Sequence, residues 1–282
     1  MFKRALLAVQ FHTVLPVKVS VTVLEKDMAG SVPFFPLAGA AQGLLLAASA
    51  ALFTRFFDSY IAGALSLAAY VMSGGGFDLD GLADTADALS VKSCGDREAD
   101  RKKRLEIMKD SHVGAMGVIA LIISILLKFA LISGLLRLAA PAAFALLFMM
   151  PAFSKWATIP VMFHGSPARK EGLGRIFIGN AGGKDVLLAS FFLALLFFAA
   201  SGLSSYLHWL PAMPFSAYLF LFLFLTVFLY GAGLAAIRFL NRNFGGVTGD
   251  HLGAVTEASE AVFLVCAVLF VRFFASHAGP HL

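Results

Sequence analysis

The chain has 282 residues, 59% hydrophobic and only 14% charged, with a mean hydropathy of +0.84. Soluble domains carry roughly a quarter of their residues as charges, so this composition excludes a water-bathed fold without large apolar patches and points to lipid as the solvent for its faces. The formal charge of +5 lies between apolar runs and builds no basic face, which argues against nucleic acid as a partner. Cys94 and Cys266 sit one in a charged loop and one in an apolar segment, with no pairing signal and no need for an oxidising compartment.

At the N-terminus, Lys3 and Arg4 precede the apolar run 5–9 in the manner of a signal peptide. Gln10, His12 and Thr13 interrupt that run and no small-x-small cleavage site follows, so residues 1–36 read as a retained interfacial or cytoplasmic segment. A spanning helix needs about 20 mostly apolar residues. Seven runs qualify, near 37–54, 57–73, 113–134, 138–162, 186–205, 215–237 and 252–275. Only Arg55 and Phe56 separate the first two, which predicts a membrane hairpin or a broken helix there. Polar stretches at 74–112, 163–185 and 238–251 connect the others.

With the N-terminus inside, 17 of the 22 Lys and Arg fall in inside segments. These include Lys3, Arg4, Lys18 and Lys26, then seven between Lys92 and Lys109. The outside loops keep only Arg55 and Arg137, while Lys128, Lys155 and Arg272 fall within helices. That asymmetry follows the positive-inside rule. The expected fold is an all-α, polytopic integral membrane protein, one membrane domain over 1–282, with about seven transmembrane helices and cytoplasmic active-site loops.

The first polar connection holds the most informative stretch, Gly74-Gly75-Gly76-Phe77-Asp78-Leu79-Asp80-Gly81-Leu82-Ala83-Asp84-Thr85-Ala86-Asp87. If residues from Asp80 onward are helical, Asp80, Asp84 and Asp87 share one face. Four Asp in ten positions repel one another unless a cation compensates them. Oxygen ligands without His or Cys suit a hard ion, Mg²⁺ above all, which shares its coordination with substrate phosphates. A solvated helix start rich in Asp would account for one or two of the four.

Residues 96–110 form a charged segment with helical i,i+4 pairs such as Glu98–Lys102 and Asp100–Arg104. This is a salt-laced surface helix whose cations, Arg104 and Lys109 among them, are also placed to hold phosphates. Asp110 or Ser111, beside His112, is a natural N-cap for the third span. Near the C-terminus, Gly245-Gly246-Val247-Thr248-Gly249-Asp250-His251 precedes the last span. Close glycines let backbone N–H groups approach an anion at a helix N-terminus. Glu257 and Glu260 follow inside the span, where a carboxylate faces a polar interior by default. Arg169 and Arg175 lie in a glycine-bracketed loop on the same side, suited to bidentate phosphate contact.

Three of these stretches, 76–89, Glu106-Ile107-Met108-Lys109-Asp110-Ser111-His112-Val113-Gly114-Ala115-Met116-Gly117 and 245–250, resemble the signatures of the cobalamin synthase family, also called adenosylcobinamide-GDP ribazoletransferases. Phe34-Phe35-Pro36-Leu37 with Gly39, and Ala168-Arg169 with Gly172-Leu173-Gly174, fall at further family positions, so the resemblance covers roughly 10–260. The chain departs from the family pattern at Val14, Lys155 and Lys170. The resemblance implies joining adenosylcobinamide-GDP to α-ribazole or its 5′-phosphate, with release of GMP and Mg²⁺ as cofactor. It implies the cytoplasmic (inner) membrane of a prokaryote as the location, with lipid as surroundings and room for a homo-oligomer.

On that reading Asp78, Asp80, Asp84 and Asp87 are the metal ligands, Asp78 the weakest. Asp250 either completes the metal site or serves as base, and Lys109 acts with it. Arg104, Ser111, His112, Arg169, Thr248 and Glu257 are the substrate contacts. Two other readings stand beside this one. A phospholipid transferase of the CDP-alcohol class would place an Ala-Arg pair after Asp-Gly, where this chain has Leu82-Ala83 after Gly81. A cation transporter would place its acids near the midplane in two matching halves.

Overall fold

The computed structural model describes residues 1–14, 23–207 and 215–277, without the side chains of 139–140 and 274–277. Lys18 lies outside the described residues. In chain order the helices are α1 (Phe2–His12), α2 (Glu25–Ala29), α3 (Phe35–Phe53), α4 (Ser59–Ser73), α5 (Phe77–Leu89), α6 (Arg97–Ile107), α7 (Ala115–His164), α8 (Leu173–Phe177), α9 (Gly183–Tyr206), α10 (Phe215–Phe244) and α11 (Gly249–His277). Among the described residues, six segments are long and apolar enough to cross a membrane, and a seventh if α4 and α5 count as one broken span.

Of the two alternatives for the first pair of spans, the hairpin is the one formed, and the break in the helix falls instead after α4. The chain reverses between α3 and α4, where the Asp58 carboxylate caps α4 by accepting from the N–H groups of Tyr60 and Ile61 at 2.8 and 3.1 Å. At the other end α4 turns through 87° into α5. Gly75 and Gly76 make that corner with φ of +66° and +74°, a region that favours glycine.

The backbone of α7 is helical over 50 residues, yet its two arms, Ala115–Leu138 and Pro141–His164, are separate spans. A straight helix would put residues 128 and 154 about 39 Å apart. Instead Lys128 Nζ lies 2.8 Å and Ser154 Oγ 3.4 Å from the carboxylate oxygens of Glu260, so the chain reverses between the arms.

The second arm is the centre of the bundle. A Cβ on Gly39 or Gly43 of α3 would fall 2.3 Å from the Pro151 carbonyl oxygen or 2.0 Å from that of Phe148. This glycine pair, four residues apart, lets two spans pack backbone to backbone. On another side, Phe153 packs its ring among Phe197, Phe222 and Phe263 of α9, α10 and α11. The first arm turns Ile119, Ile122, Ile123 and Leu126 outward, and α10 does the same with Phe220, Phe224 and Phe228. These exposed rows are the lipid-facing surface that the high Phe content requires.

Lys128 and Lys155, in the two arms of α7, are both buried and paired. Lys128, with no exposed surface, donates to Glu257 at 2.9 Å and to Glu260 at 2.8 Å. Ser124 donates to Glu257 at 2.5 Å, and the Tyr70 hydroxyl donates to Glu260. Lys155 pairs with Asp78 at 2.5 Å. The polar stretch 238–251 is shorter than its sequence suggests, because α10 runs on to Phe244 and carries Arg238 and Arg242 with it.

Removing one partner of a buried ion pair strands the others at a cost of about 3–5 kcal/mol, whereas removing the whole set is nearly neutral. Lys128→Met is therefore expected to lower the thermal midpoint of the detergent-solubilised protein sharply. The triple variant Lys128→Met, Glu257→Gln, Glu260→Gln should recover most of the loss; a triple no more stable than the single would refute the pairing.

Candidate active site

The site forms where α5 crosses the start of α11. A Cβ on Gly81 would come within 2.4 Å of the Asp250 carbonyl oxygen, and one on Gly253 within 3.0 Å of the Asp78 backbone. These two glycines permit the close crossing. It brings Asp80 and Asp250 to the wall of one cavity of about 400 Å³. Asp84 stands in the electrostatic field of Asp80, Asp250, Asp87 and Arg169.

Two loops complete the site. Val247 N–H donates to the Ser166 carbonyl at 2.8 Å and Ala168 N–H to the Val247 carbonyl at 2.9 Å, a short parallel bridge. The bridge sets Arg169 beside the N-terminus of α11, where its Nη1 lies 3.4 Å from Asp250 Oδ2. Its Nη2 donates to the Leu105 carbonyl at 3.3 Å, while its buried Nε has no partner. Arg169 and Asp250 both line a second cavity of about 180 Å³. Arg169 also borders a third, of about 750 Å³, together with Lys102, Lys109 and Lys170. The three cavities adjoin through shared wall residues, Asp250 between the first two and Arg169 between the last two, and so form a row, the cleft, from the carboxylates outward to the basic helix α6.

Several expected contacts fall elsewhere. Asp78 is committed to Lys155. Asp87 is buried, and its two oxygens accept from Gly114 N–H at 2.7 Å and Gly117 N–H at 2.8 Å. The N-terminus of α7 is thus capped from α5, and neither Asp110 nor Ser111 caps it. A Cβ on either glycine would fall within 2.4 Å of the Asp87 carboxylate. Arg104 donates to the backbone and side-chain oxygens of Asn243 at 3.0 and 3.1 Å, and Arg101 to the Asn241 carbonyl at 2.9 Å. Both arginines therefore satisfy carbonyls at the end of α10.

Thr248 is the N-cap of α11. Its hydroxyl accepts from His251 N–H at 3.3 Å, and its own N–H donates to His251 Nδ1 at 3.0 Å, a reciprocal pair with His in place of the usual Glu. Two N–H groups of the glycine-rich loop are thereby used internally. Glu257 belongs to the buried Lys128 cluster and not to a substrate surface. Ser111 and His112 are exposed, and His112 bonds Asp110 at 2.6 Å. Lys109 and Arg169 remain on the cleft wall.

Two site residues were not singled out from the sequence, His12 and Lys155, both on the wall of the 400 Å³ cavity. Each left a trace as a polar residue interrupting an apolar run. Among the described residues, no three Asp, Glu, His or Cys side chains cluster tightly enough to cage a metal by themselves. The oxygen-only set of Asp80, Asp84 and Asp250 fits a hard cation that keeps waters and draws further ligands from substrate phosphate.

A family model described as cobalamin-5-phosphate synthase matches residues 4–268. The chain is 34% identical over 281 residues to the adenosylcobinamide-GDP ribazoletransferase of Thermodesulfovibrio yellowstonii, covering 98% of this chain and 100% of that one. It is 32% identical over 268 residues to the protein of that name from Geotalea daltonii, covering 95% and 98%. The corresponding protein of Pseudomonas paraeruginosa is 35% identical over 271 residues, covering 94% and 97%. No solved structure matches the chain.

His12, on the cavity wall, and the exposed His112 differ in their titration. Burial, and then the charge of Lys155, lower the pKa of His12 to about 3. Its Nδ1 lies 2.9 Å from the Ala8 carbonyl, which fixes the proton on that nitrogen. The Asp110 carboxylate holds His112 above the ordinary 6.5. In ¹⁵N spectra of imidazole-labelled protein, assigned with His12→Gln and His112→Gln, His12 should remain neutral at pH 5 while His112 is mostly protonated at pH 6. A His12 resonance titrating near 6.5 would contradict the packing.

Proposed function

The chain belongs to the cobalamin-5-phosphate synthase family, and from that membership we propose that it joins adenosylcobinamide-GDP to α-ribazole or α-ribazole 5′-phosphate, releasing GMP. This is the step that assembles the nucleotide loop of cobalamin, and it makes the protein a transferase. A ribose hydroxyl of the acceptor attacks the phosphorus attached to cobinamide. The bond from that phosphorus to the GMP oxygen breaks, and the hydroxyl proton passes to a base. Family membership retires the phospholipid-transferase and transporter readings.

The observation that carries the mechanism is the shared cleft, with two carboxylates at its inner end and cations at its outer end. Displacement at a diphosphate builds negative charge on attacking and leaving oxygens, so alignment and cations matter more than a covalent nucleophile. Lys109 and Arg169 neutralise the diphosphate, and the N-terminal N–H groups of α11 face the same anion. Asp250 directs Oδ2 toward Arg169 and Thr248 at 3.4 and 3.3 Å, leaving Oδ1 to take the proton of the acceptor hydroxyl. Asp80 and Asp84 would hold Mg²⁺, which when bound offsets charge across the reacting phosphate. The excess of Lys and Arg at this end of the bundle favours a cytoplasmic active site in the inner membrane.

Purified protein given adenosylcobinamide-GDP, α-ribazole and Mg²⁺ should release GMP only when the acceptor is present, and chelation should abolish release. Asp84→Asn is expected to reduce turnover by about a hundredfold or more; near-wild-type turnover of the folded variant at saturating Mg²⁺ would remove Asp84 from the metal site.

Lys109→Ala should raise the KM for adenosylcobinamide-GDP about tenfold with little change in kcat. Unchanged kinetics would leave Lys109 as a surface residue of the turn after α6.

A further inference from the structure

The cleft has two chemically different ends. The outer end, where Lys102, Lys109, Arg169 and Lys170 outnumber Glu106 and Glu171, suits anionic groups. The inner 400 Å³ cavity is walled largely by Phe11, Phe77, Phe177, Met162, Leu173 and Leu252. The Phe11 and Phe177 rings stand 4.9 Å apart at 53°, so aromatic faces meet at an angle inside it. The charges on its wall are the Lys155–Asp78 pair, Asp80 and Asp250.

Of the side-chain donors there, the Lys155 ammonium is paired with Asp78, and the Gln10 amide stands at the exposed side of the wall. Thr158 and Thr256 spend their hydroxyl protons on the carbonyls of Lys155 and Leu252, at 2.7 and 3.0 Å. His12 spends its Nδ1 proton on Ala8, so Nε2 is an acceptor only.

This inventory discriminates among the parts of the two substrates, an argument that rests on the proposed reaction. The corrin macrocycle is too large for the cavity. Guanine's O6 and N7 acceptors would have to compete for Lys155, already paired with Asp78, or for the one Gln10 amide. The dimethylbenzimidazole base of α-ribazole is uncharged, has no hydrogen-bond donor, and presents ring faces and methyl groups. Its ribose hydroxyls are donors, matched by His12 Nε2 and the carboxylates.

We infer that the inner cavity is the base subsite of the acceptor: it takes an uncharged, donor-free bicyclic heteroaromatic base against its aromatic and thioether walls and presents the attached ribose to Asp250. Phe77, 67% exposed at the rim, and half-buried Phe11 are the residues that recognise the base. The two substrates then approach the reacting phosphorus from opposite ends of one cleft.

The test uses the full chain in detergent, with α-ribazole, adenosylcobinamide-GDP and free 5,6-dimethylbenzimidazole as probes. Phe11→Ala and Phe77→Ala should each raise the KM for α-ribazole about ten- to a hundredfold, as loss of base–aromatic stacking does. The KM for adenosylcobinamide-GDP should stay within about twofold. Free dimethylbenzimidazole should compete with the acceptor and not with the donor. An unchanged acceptor KM in a monodisperse Phe77→Ala protein, or competition against the donor, would overturn the subsite; Phe77 decides if Phe11→Ala fails to fold. Calorimetric binding of α-ribazole without the donor separates this inference from the reaction. Binding weakened by Phe77→Ala with no GMP release in wild type keeps the subsite and sinks the reaction. Release with an acceptor KM insensitive to Phe77→Ala does the reverse.

Discussion

A charge enclosed in a low-dielectric bundle must meet its opposite within hydrogen-bond reach, and Lys128 with Glu257 and Glu260 is where this chain meets that demand. The cluster draws on four spans. Tyr70 comes from α4, Ser124 and Lys128 from one arm of α7, Ser154 from the other, and the two carboxylates from α11. Such a cluster fixes the rotation of α11 more firmly than Leu and Phe contacts, which tolerate sliding. Asp250 lies seven residues before Glu257 on the same face, about 10 Å along the axis. Its direction into the cleft is inherited from the ion cluster below it. The Lys155–Asp78 pair does the same for α5.

The architecture was legible in the sequence wherever a single segment carries its own signal. Apolar runs located the spans. The helical spacing of Asp80, Asp84 and Asp87 was also sound, since α5 is helical throughout. Periodicity gives a residue's angle on its own helix but says nothing of the helix opposite. Asp87 therefore looked equivalent to Asp80, although one caps α7 and the other lines a cavity. The glycines at 114 and 117 explain each other only once that carboxylate is seen between them. Arg104 was obscured for the same reason, because the end of α10 claims its guanidinium, whereas Thr248 is claimed locally by the start of its own helix, α11.

The cleft is assembled from parts that are each structurally committed. Arg101 and Arg104 secure α6 to the end of α10, which leaves Lys102 and Lys109 of the same basic segment on the wall of the outer cavity. The parallel bridge between Pro167 and Val247 holds two loops as one piece, so Arg169 and Asp250 keep their spacing. The N-terminal segment, which looked like a peripheral anchor, supplies His12 and Phe11 to the inner wall. It is tied in place where Val14 N–H donates to the Ser73 carbonyl at 2.9 Å and Gln42 donates to the His12 carbonyl at 2.9 Å.

The right-angle corner at Gly75 and Gly76 bears on where water-soluble substrates meet a membrane-embedded enzyme. Had α5 continued in line with α4, Asp80 and Asp84 would sit at successive depths, about 6 Å apart along the bundle axis. Turned through 87°, the helix sets both carboxylates at nearly one level, like lamps along a quay. Polar reactants can then be handled in a single layer at the water's edge. Neither has to carry its charge down into the bilayer, and the spans beneath serve as a foundation.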